Sequence, residues 1–176
     1  MIFSSTGLSG ATLVDLETRE DDRGFFARTF DREEFLSAGL DPVVEQCSLS
    51  YNRRAGTVRG LHYQVAPAVE AKLVRCTRGA VLDVVVDVRR DSPTYLQSFS
   101  VELTADNRRA LHVSSMFAHG FQTLSDDVEV GYQISQAHTP GCERGLRHDD
   151  PALGLVWPLP VSVISSRDAS WPFLAQ

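Results

Sequence analysis

The chain has 176 residues, 43% hydrophobic and 23% charged, ordinary proportions for one globular domain with a real core. A formal net charge of −6 excludes general affinity for nucleic acid, because no basic excess is present to neutralise phosphates; a local basic pocket for one nucleotide remains open. Three widely spaced cysteines, Cys47, Cys76 and Cys142, make neither a disulfide framework nor a zinc motif, and a reducing cytoplasm is their simplest setting.

The opening Met1-Ile-Phe-Ser-Ser-Thr6 lacks the basic and apolar runs of a signal peptide, and no apolar stretch reaches membrane-spanning length. Ala11–Leu16 reads as a first strand and Glu20–Gly24 as a charged turn. Phe25–Phe30 is aromatic-rich and strand-like. Asp31 then caps a short helix, with Glu33 and Glu34 in its first turn, Phe35 and Leu36 inward, and Gly39 at its end. After Pro42 the chain reads as strand after strand: 43–50, 58–64, 72–77, 80–88, 97–104, 109–114, 118–124, 128–135 and a short 162–165, with Gly, Pro or Asn at the turns.

Two of these strands carry informative faces. In Val81–Val88 one alternate set is Leu82, Val84, Val86 and Val88; the other is Val81, Asp83, Val85 and Asp87, which points to a polar cavity or interface on that side. In Val128–Ser135 a period of two puts Tyr132 on the same face as Val128, Val130 and Ile134. Beyond Pro140 the sequence becomes loop-like. About ten short strands with little helix, in a single unit spanning 1–176, mean an all-β sandwich or barrel, and a jelly-roll barrel with one or two short helices suits the count.

The chemistry concentrates in Arg59-Gly-Leu-His-Tyr-Gln64 and Lys72-Leu-Val-Arg75. A hairpin closed about Pro67 sets His62 opposite Lys72 and Gln64 opposite Glu70. A neutral imidazole beside an ammonium suits removal of a proton next to a carbonyl, one group taking the proton and the other steadying the oxyanion. Of the five histidines, His62 and His119 stand in Gly-flanked aromatic contexts; His112, His138 and His148 read as structural or solvated side chains. Metal is disfavoured: His62-Tyr-Gln64 is not His-x-His, Lys72 would repel a cation, and two ligands are too few. An aspartate must orient His62, and Asp83, Asp87 and Asp168 are all available. Tyr132 is the candidate acid.

Taken together, Arg59–Gln64, Lys72–Arg75, Gly79 with Asp83–Arg89, Ser92-Pro-Thr94, Phe117-Ala-His-Gly-Phe121, Tyr132, Glu143-Arg-Gly145 and Asp149-Asp-Pro-Ala152 stand in an order and spacing that closely resemble the dTDP-4-dehydrorhamnose 3,5-epimerases and related nucleotide-4-keto-sugar epimerases. The likeness runs from Asp21 to Asp168. It implies a metal-free, cofactor-independent cupin-type jelly roll, a homodimer, and inversion of the carbons flanking the C4 ketone of a dTDP-linked 6-deoxy-hexose. By motif, His62 would be the base paired with Asp168, Tyr132 the acid on the opposite sugar face, and Lys72 would sit near the ketone oxygen. Arg23, Phe26, Gln46, Ser48, Arg59, His119, Glu143 and Arg167, with Lys72, would hold nucleotide, diphosphate and sugar.

The family's usual glutamate after the Phe-Phe pair is Arg28 here, and its Gln-x-Asn-His-Ser run is Gln46-Cys-Ser-Leu-Ser50, with Ser48 and Leu49 in place of the amide and imidazole. The catalytic set is intact while the nucleotide-recognition set has drifted. Alternatives to a 3,5-epimerase are therefore an enzyme inverting C3 or C5 alone, one using another nucleotide, a keto-sugar isomerase, and a non-catalytic sugar-nucleotide-binding or metal-dependent cupin.

Overall fold

The computed structural model describes residues 1–174. The strands are β1 (Ile2–Ser5), β2 (Ala11–Asp15), β3 (Arg19–Asp21), β4 (Gly24–Phe26), β5 (Gln46–Asn52), β6 (Thr57–Gln64), β7 (Lys72–Arg78), β8 (Ala80–Asp87), β9 (Ser98–Thr104), β10 (Ala110–Val113), β11 (Phe117–Thr123), β12 (Val128–Ile134), β13 (Glu143–Gly145) and β14 (Val163–Ile164). Helices α1 (Arg32–Ser37) and α2 (Ser166–Ala169) are short.

One sheet runs β1-β2-β10-β7-β12-β5 and the second β13-β6-β11-β8-β9, with β14 added parallel to β6. The two face each other as a jelly roll. A small hairpin, β3–β4, stands apart from both. The layers follow from the strand patterns. Between the sheets, Val74, Cys76, Leu111, Val128 and Val130 from the first meet Val81, Val85, Leu103, Phe117 and Phe121 from the second. Outside the second sheet, Leu61, Val84, Val86 and Ala118 lie under Leu153, Leu155 and Trp157. Outside the first, Val14, Leu73 and Ala110 lie under Phe35 of α1. This third layer is why β8 is apolar on both faces.

The helix expected after Asp31 is present. The Asp31 carboxylate accepts from the backbone N–H of Glu33 (3.0 Å) and Glu34 (3.1 Å), a cap worth about 1 kcal/mol. Gly39, at φ +73°, follows its end in the left-handed conformation that glycine tolerates. Phe35 is buried against Phe3, Phe30 and His112, but Leu36 is 48% exposed. Successive helical residues point about 100° apart, so a one-turn helix buries one of the two.

Several expectations are corrected. The Lys72 strand does not form a hairpin with the His62 strand: β6 pairs with β11 and β13, and β7 with β10 and β12, in opposite sheets. Residues 65–71 cross from one sheet to the other. β1 lies within an opening segment read only for its lack of a leader, and the strand-like reading of 25–30 shrinks to β4, whose Phe25 and Phe26 are exposed. The first strand after Pro42 begins at Gln46. The segment beyond Pro140 carries β13, a 3-10 turn at Pro151–Leu153 and α2, whose length is below what a hydrophobic period can reveal. Asp87 faces no open cavity. It is fully buried and accepts from Arg89, Ser92 and Thr94, pinning the turn after β8. Burial opposes its ionisation, but these donors hold its carboxyl well below the usual range.

His112 confirms its structural reading in an unusual setting. It is 2% exposed, edge-on to Phe35, and neither ring nitrogen has a close hydrogen-bond partner among the described residues. Burial lowers its pKa to about 4, with Asp41 opposing more weakly. An unfolded chain takes up a proton here near pH 6.5 and the folded one only near 4, so stability falls as pH falls through that window. Chemical denaturation from pH 7 to pH 4 should show up to about 3 kcal/mol more pH-dependent loss in the wild type than in His112→Leu.

Candidate active site

The strands that build the core also build a cavity, because their inward residues change character along their length. On β12, Val128 and Val130 are core, while Tyr132 and Ile134 line the cavity. On β7, Cys76 and Val74 are core and Lys72 lines it. The result is a pocket of about 620 Å³. The first sheet supplies Gln46, Ser48 and Ser50 from β5, Lys72, and Tyr132. The second supplies Arg59 and His62 from β6, His119 from β11 and Glu143 from β13, and α2 adds Arg167 and Asp168.

Glycine decides how closely the second sheet's strands approach. A Cβ on Gly120 would lie 2.6 Å from the Arg59 carbonyl oxygen, and one on Gly60 2.5 Å from Gly120 Cα. The pairing of β11 with β6 shifts register between His119 and Phe121. That irregularity sets His119 directly opposite His62. Gly-Leu-His and His-Gly-Phe are thus two halves of one close contact.

Each histidine of this pair has a carboxylate. His62 Nε2 lies 2.7 Å from Asp168 Oδ1, and Asp168 Oδ2 accepts from the Gly60 N–H at 3.2 Å. Ser165 caps α2 by accepting from the Asp168 N–H, which holds the aspartate in place. Burial opposes ionisation of Asp168, but the hydrogen bond and charge from His62, with Gly60 and Ser165, keep its pKa below the usual value. His119 Nε2 lies 3.0 and 2.9 Å from the two oxygens of Asp83, which is fully buried. Asp87, the third candidate, belongs to the Arg89 turn. The three aspartates are therefore sorted by position, and Asp168 alone reaches His62.

Tyr132 points inward as its period required, edge-on to His119 with ring centroids 6.3 Å apart. Burial pushes its hydroxyl pKa above the ordinary tyrosine value, a hydrogen bond from Ser50 opposing. The phenol therefore stays protonated through the neutral range. Lys72 is 12% exposed and is no solvated strand lysine. Its ammonium lies 2.8 Å from Glu70 and donates to the His62 carbonyl at 3.4 Å. Arg59 donates to Asn52 at 2.6 Å. At one margin Arg167 (2.6 Å) and His138 (3.1 Å) share one Glu143 oxygen. Arg167 chiefly holds the Glu143 carboxyl below its usual range, against some burial, with His138 assisting.

Gln46, Ser48, Arg59, His62, Lys72, His119, Tyr132, Glu143, Arg167 and Asp168 thus meet in one cavity. Arg23 and Phe26 do not. Both stand on the β3–β4 hairpin, where the Arg23 side chain is 89% exposed and paired with Asp21. Arg28 is likewise outside, against Asp31, and Leu49 faces outward from the edge strand β5. His138 and Glu70 line the cavity without having been singled out for it. His138 sits in loop sequence with no periodicity, so nothing local marked it. Glu70 was placed near Gln64, though by a hairpin that does not form. Among the described residues, no group of three or more His, Cys, Asp or Glu side chains is arranged to hold a metal ion.

The model of the dTDP-4-dehydrorhamnose 3,5-epimerase family matches residues 5–176. The chain belongs to that family. A dTDP-4-dehydrorhamnose 3,5-epimerase of Sinorhizobium fredii is 41% identical over all of this chain and 91% of its own length. A dTDP-4-dehydrorhamnose 3-epimerase of Streptomyces niveus is 37% identical over 97% of this chain and 82% of its own. Among solved structures, the Bacillus anthracis family enzyme with TDP and PPi bound superposes with a TM-score of 0.94 at 35% identity, covering 98% of this chain and 99% of that one. The Legionella pneumophila enzyme in complex with dTDP-4-keto-L-rhamnose gives 0.90 at 32%, covering 98% and 92%. The fold is accordingly that family's cupin-type jelly roll.

The Gly60–Gly120 contact is a requirement of the site as much as of the sheet. Gly120→Ala should lower stability by about 1–3 kcal/mol in thermal or denaturant melts and lose nucleotide affinity at temperatures where it stays folded.

Proposed function

We propose that this protein is a dTDP-4-dehydrorhamnose 3,5-epimerase, inverting C3 and C5 of dTDP-4-keto-6-deoxyglucose without metal or cofactor. The observation that carries the reading is that a base and an acid line one cavity from opposite sheets. His62 is on β6 of the second sheet and Tyr132 on β12 of the first, with family membership naming the substrate class. Inversion needs a proton removed on one face of a carbon and returned on the other.

With Nε2 held by Asp168, the free nitrogen of neutral His62 is Nδ1. It takes the hydrogen α to the C4 ketone, and the C–H electrons form the C=C of an enolate whose charge rests on O4. Lys72 donates to that oxygen, and Asp168 stabilises the resulting imidazolium. Tyr132 then gives its phenolic proton to the opposite face of the same carbon, and solvent resets both groups. The cations Arg59 and Arg167 suit a diphosphate, while Gln46, Ser48, His119 and Glu143 supply hydrogen-bonding groups for sugar and base.

We also infer a homodimer. The edge strand β5 exposes Leu49 and Tyr51, and the hairpin exposes Phe25 and Phe26. A second copy would cover these and bring Arg23 and Phe26 toward a pocket. Phe26→Asp should shift the sedimentation coefficient toward monomer and raise KM. The three free cysteines fit a reducing cytoplasm, and no helix among the described residues is long and apolar enough to cross a membrane. The whole chain is read as one domain, of which positions 175 and 176 lie outside the described residues.

The test is incubation in D2O with dTDP-4-keto-6-deoxyglucose, followed by NMR at C3 and C5. Exchange with inversion at both carbons is expected. Exchange at one alone assigns a single-carbon epimerase, and migration of the carbonyl assigns an isomerase. His62→Ala should abolish exchange while dTDP still binds. Tyr132→Phe should retain exchange but lose net inversion by about 100-fold or more, because His62 can only return the proton to the face it came from. A wild type inert toward this and related 4-keto sugars would leave only a binding protein.

A further inference from the structure

We propose that Glu70 is a positioning residue that aims the Lys72 ammonium at the oxyanion. The inference rests on the reading of Lys72 as the group that meets O4. An ammonium carries three N–H donors on a stem of four rotatable carbons and has no directional preference of its own. Here two neighbours hold it: the ammonium forms an ion pair with Glu70 Oε1 at 2.8 Å and donates one hydrogen bond to the backbone carbonyl of His62 at 3.4 Å. Among the described residues no other acceptor takes a hydrogen bond from Lys72, so donor capacity is left for the cavity that Glu70, Lys72 and His62 all line.

Glu70 is itself held. Its second oxygen accepts from Gln64 Nε2 at 2.9 Å. Gln64 is 2% exposed, and its own oxygen accepts from the Thr139 N–H at 2.9 Å. A backbone N–H can only donate, so Thr139 fixes which way the Gln64 amide is turned. That in turn makes Gln64 a donor to Glu70 and spaces both carboxylate oxygens. The chain of contacts runs from the segment between β12 and β13, through the second sheet, to a residue just ahead of β7. It reproduces by tertiary contact the juxtaposition that a hairpin would have supplied.

The second anchor has a consequence of its own. Because the His62 carbonyl holds Lys72, the oxyanion donor is referenced to the backbone of the residue that carries the base. Base and donor cannot drift independently. Glu70 supplies the other leg of that tripod. Its side chain is 12% exposed, so water is a poor substitute for it. A carboxylate beside the ammonium does nothing for the enolate directly, since like charges repel, and its use is to hold and orient the cation.

The experiment is a double-mutant cycle of wild type, Glu70→Gln, Lys72→Met and the double variant. It reads kcat and KM for deuterium incorporation into dTDP-4-keto-6-deoxyglucose, with dTDP affinity and melting temperature recorded for each. Glu70→Gln should lower kcat by about 10- to 100-fold with KM within about threefold, the signature of a misplaced donor rather than lost binding. In the Lys72→Met background the same change should alter kcat by less than about twofold, because Glu70 acts only through Lys72. Wild-type kcat in Glu70→Gln, with Lys72→Met impaired, overturns the proposal alone. So does an undiminished effect of Glu70→Gln without Lys72. Wild-type kcat in Lys72→Met overturns the oxyanion role of Lys72 and this proposal with it. Should Glu70→Gln not fold, Glu70→Asp replaces it. That carboxylate keeps its charge but is too short to engage Lys72 and Gln64 together, so the same loss of kcat is expected.

Discussion

An ionised carboxylate cannot be left unpaired inside a protein without a penalty of several kcal/mol, and this constraint organises the barrel. Among the described residues Asp83, Asp87, Asp150 and Asp168 are buried and the Glu70 side chain is nearly so. Asp168 takes His62, Asp83 takes His119, Asp87 takes Arg89 and Glu70 takes Lys72. Asp87, with its Arg89, Ser92 and Thr94 donors, and Asp150, which accepts from the Ala152 and Leu174 N–H groups, serve as structural staples. The other three each hold a side chain that borders the open cavity. Pairing inside the protein thereby leaves a ring nitrogen of His62 and donor capacity of Lys72 for the cavity.

The cavity exists because the two sheets change composition along their strands. Apolar side chains close one part of the space between them, and the residues that follow on the same strands are Tyr, Lys, Ser and His. Each strand then serves both core and site, so the site is as rigid as the core. Glycine supplies the remaining condition. Gly60 and Gly120 let β6 and β11 approach too closely for a Cβ, and the associated shift of register is what brings His119 opposite His62. Tyr132 and His62, the proposed acid and base, end up on facing sheets, which is the arrangement that inversion of a carbon requires.

The outer surface follows a different logic. The hairpin of β3 and β4 carries exposed aromatics on a support that belongs to neither sheet, and β5 ends the first sheet with an unpaired edge. An exposed edge bearing Leu and Tyr is a surface that natural proteins normally cover. The positions that depart from the family pattern divide accordingly. Ser48 lines the cavity opposite Tyr132, whereas Arg28 and Leu49 lie outside it. Within one chain, then, only Ser48 among them touches the space a nucleotide sugar would fill.

The sequence alone determined the class of fold, because alternation at a period of two is a local property and survives any arrangement of the strands. It determined that Tyr132 points inward, that Asp31 starts a helix, and that the two Gly-flanked histidines stand where backbones approach closely, since glycine beside histidine allows that approach. The family motifs singled out Asp168. What only the tertiary structure decided was partnership across distance. His62 and Lys72 were placed together for a wrong reason: no hairpin joins their strands, and a seven-residue connection carries the chain from one sheet to the other. The pairing of Glu70 with Lys72, the place of His138 at the cavity and the separate partners of Asp83 and Asp87 were likewise invisible, because a charged side chain's partner is chosen by burial and by which strands face each other. Neither quantity is written in spacing along the chain.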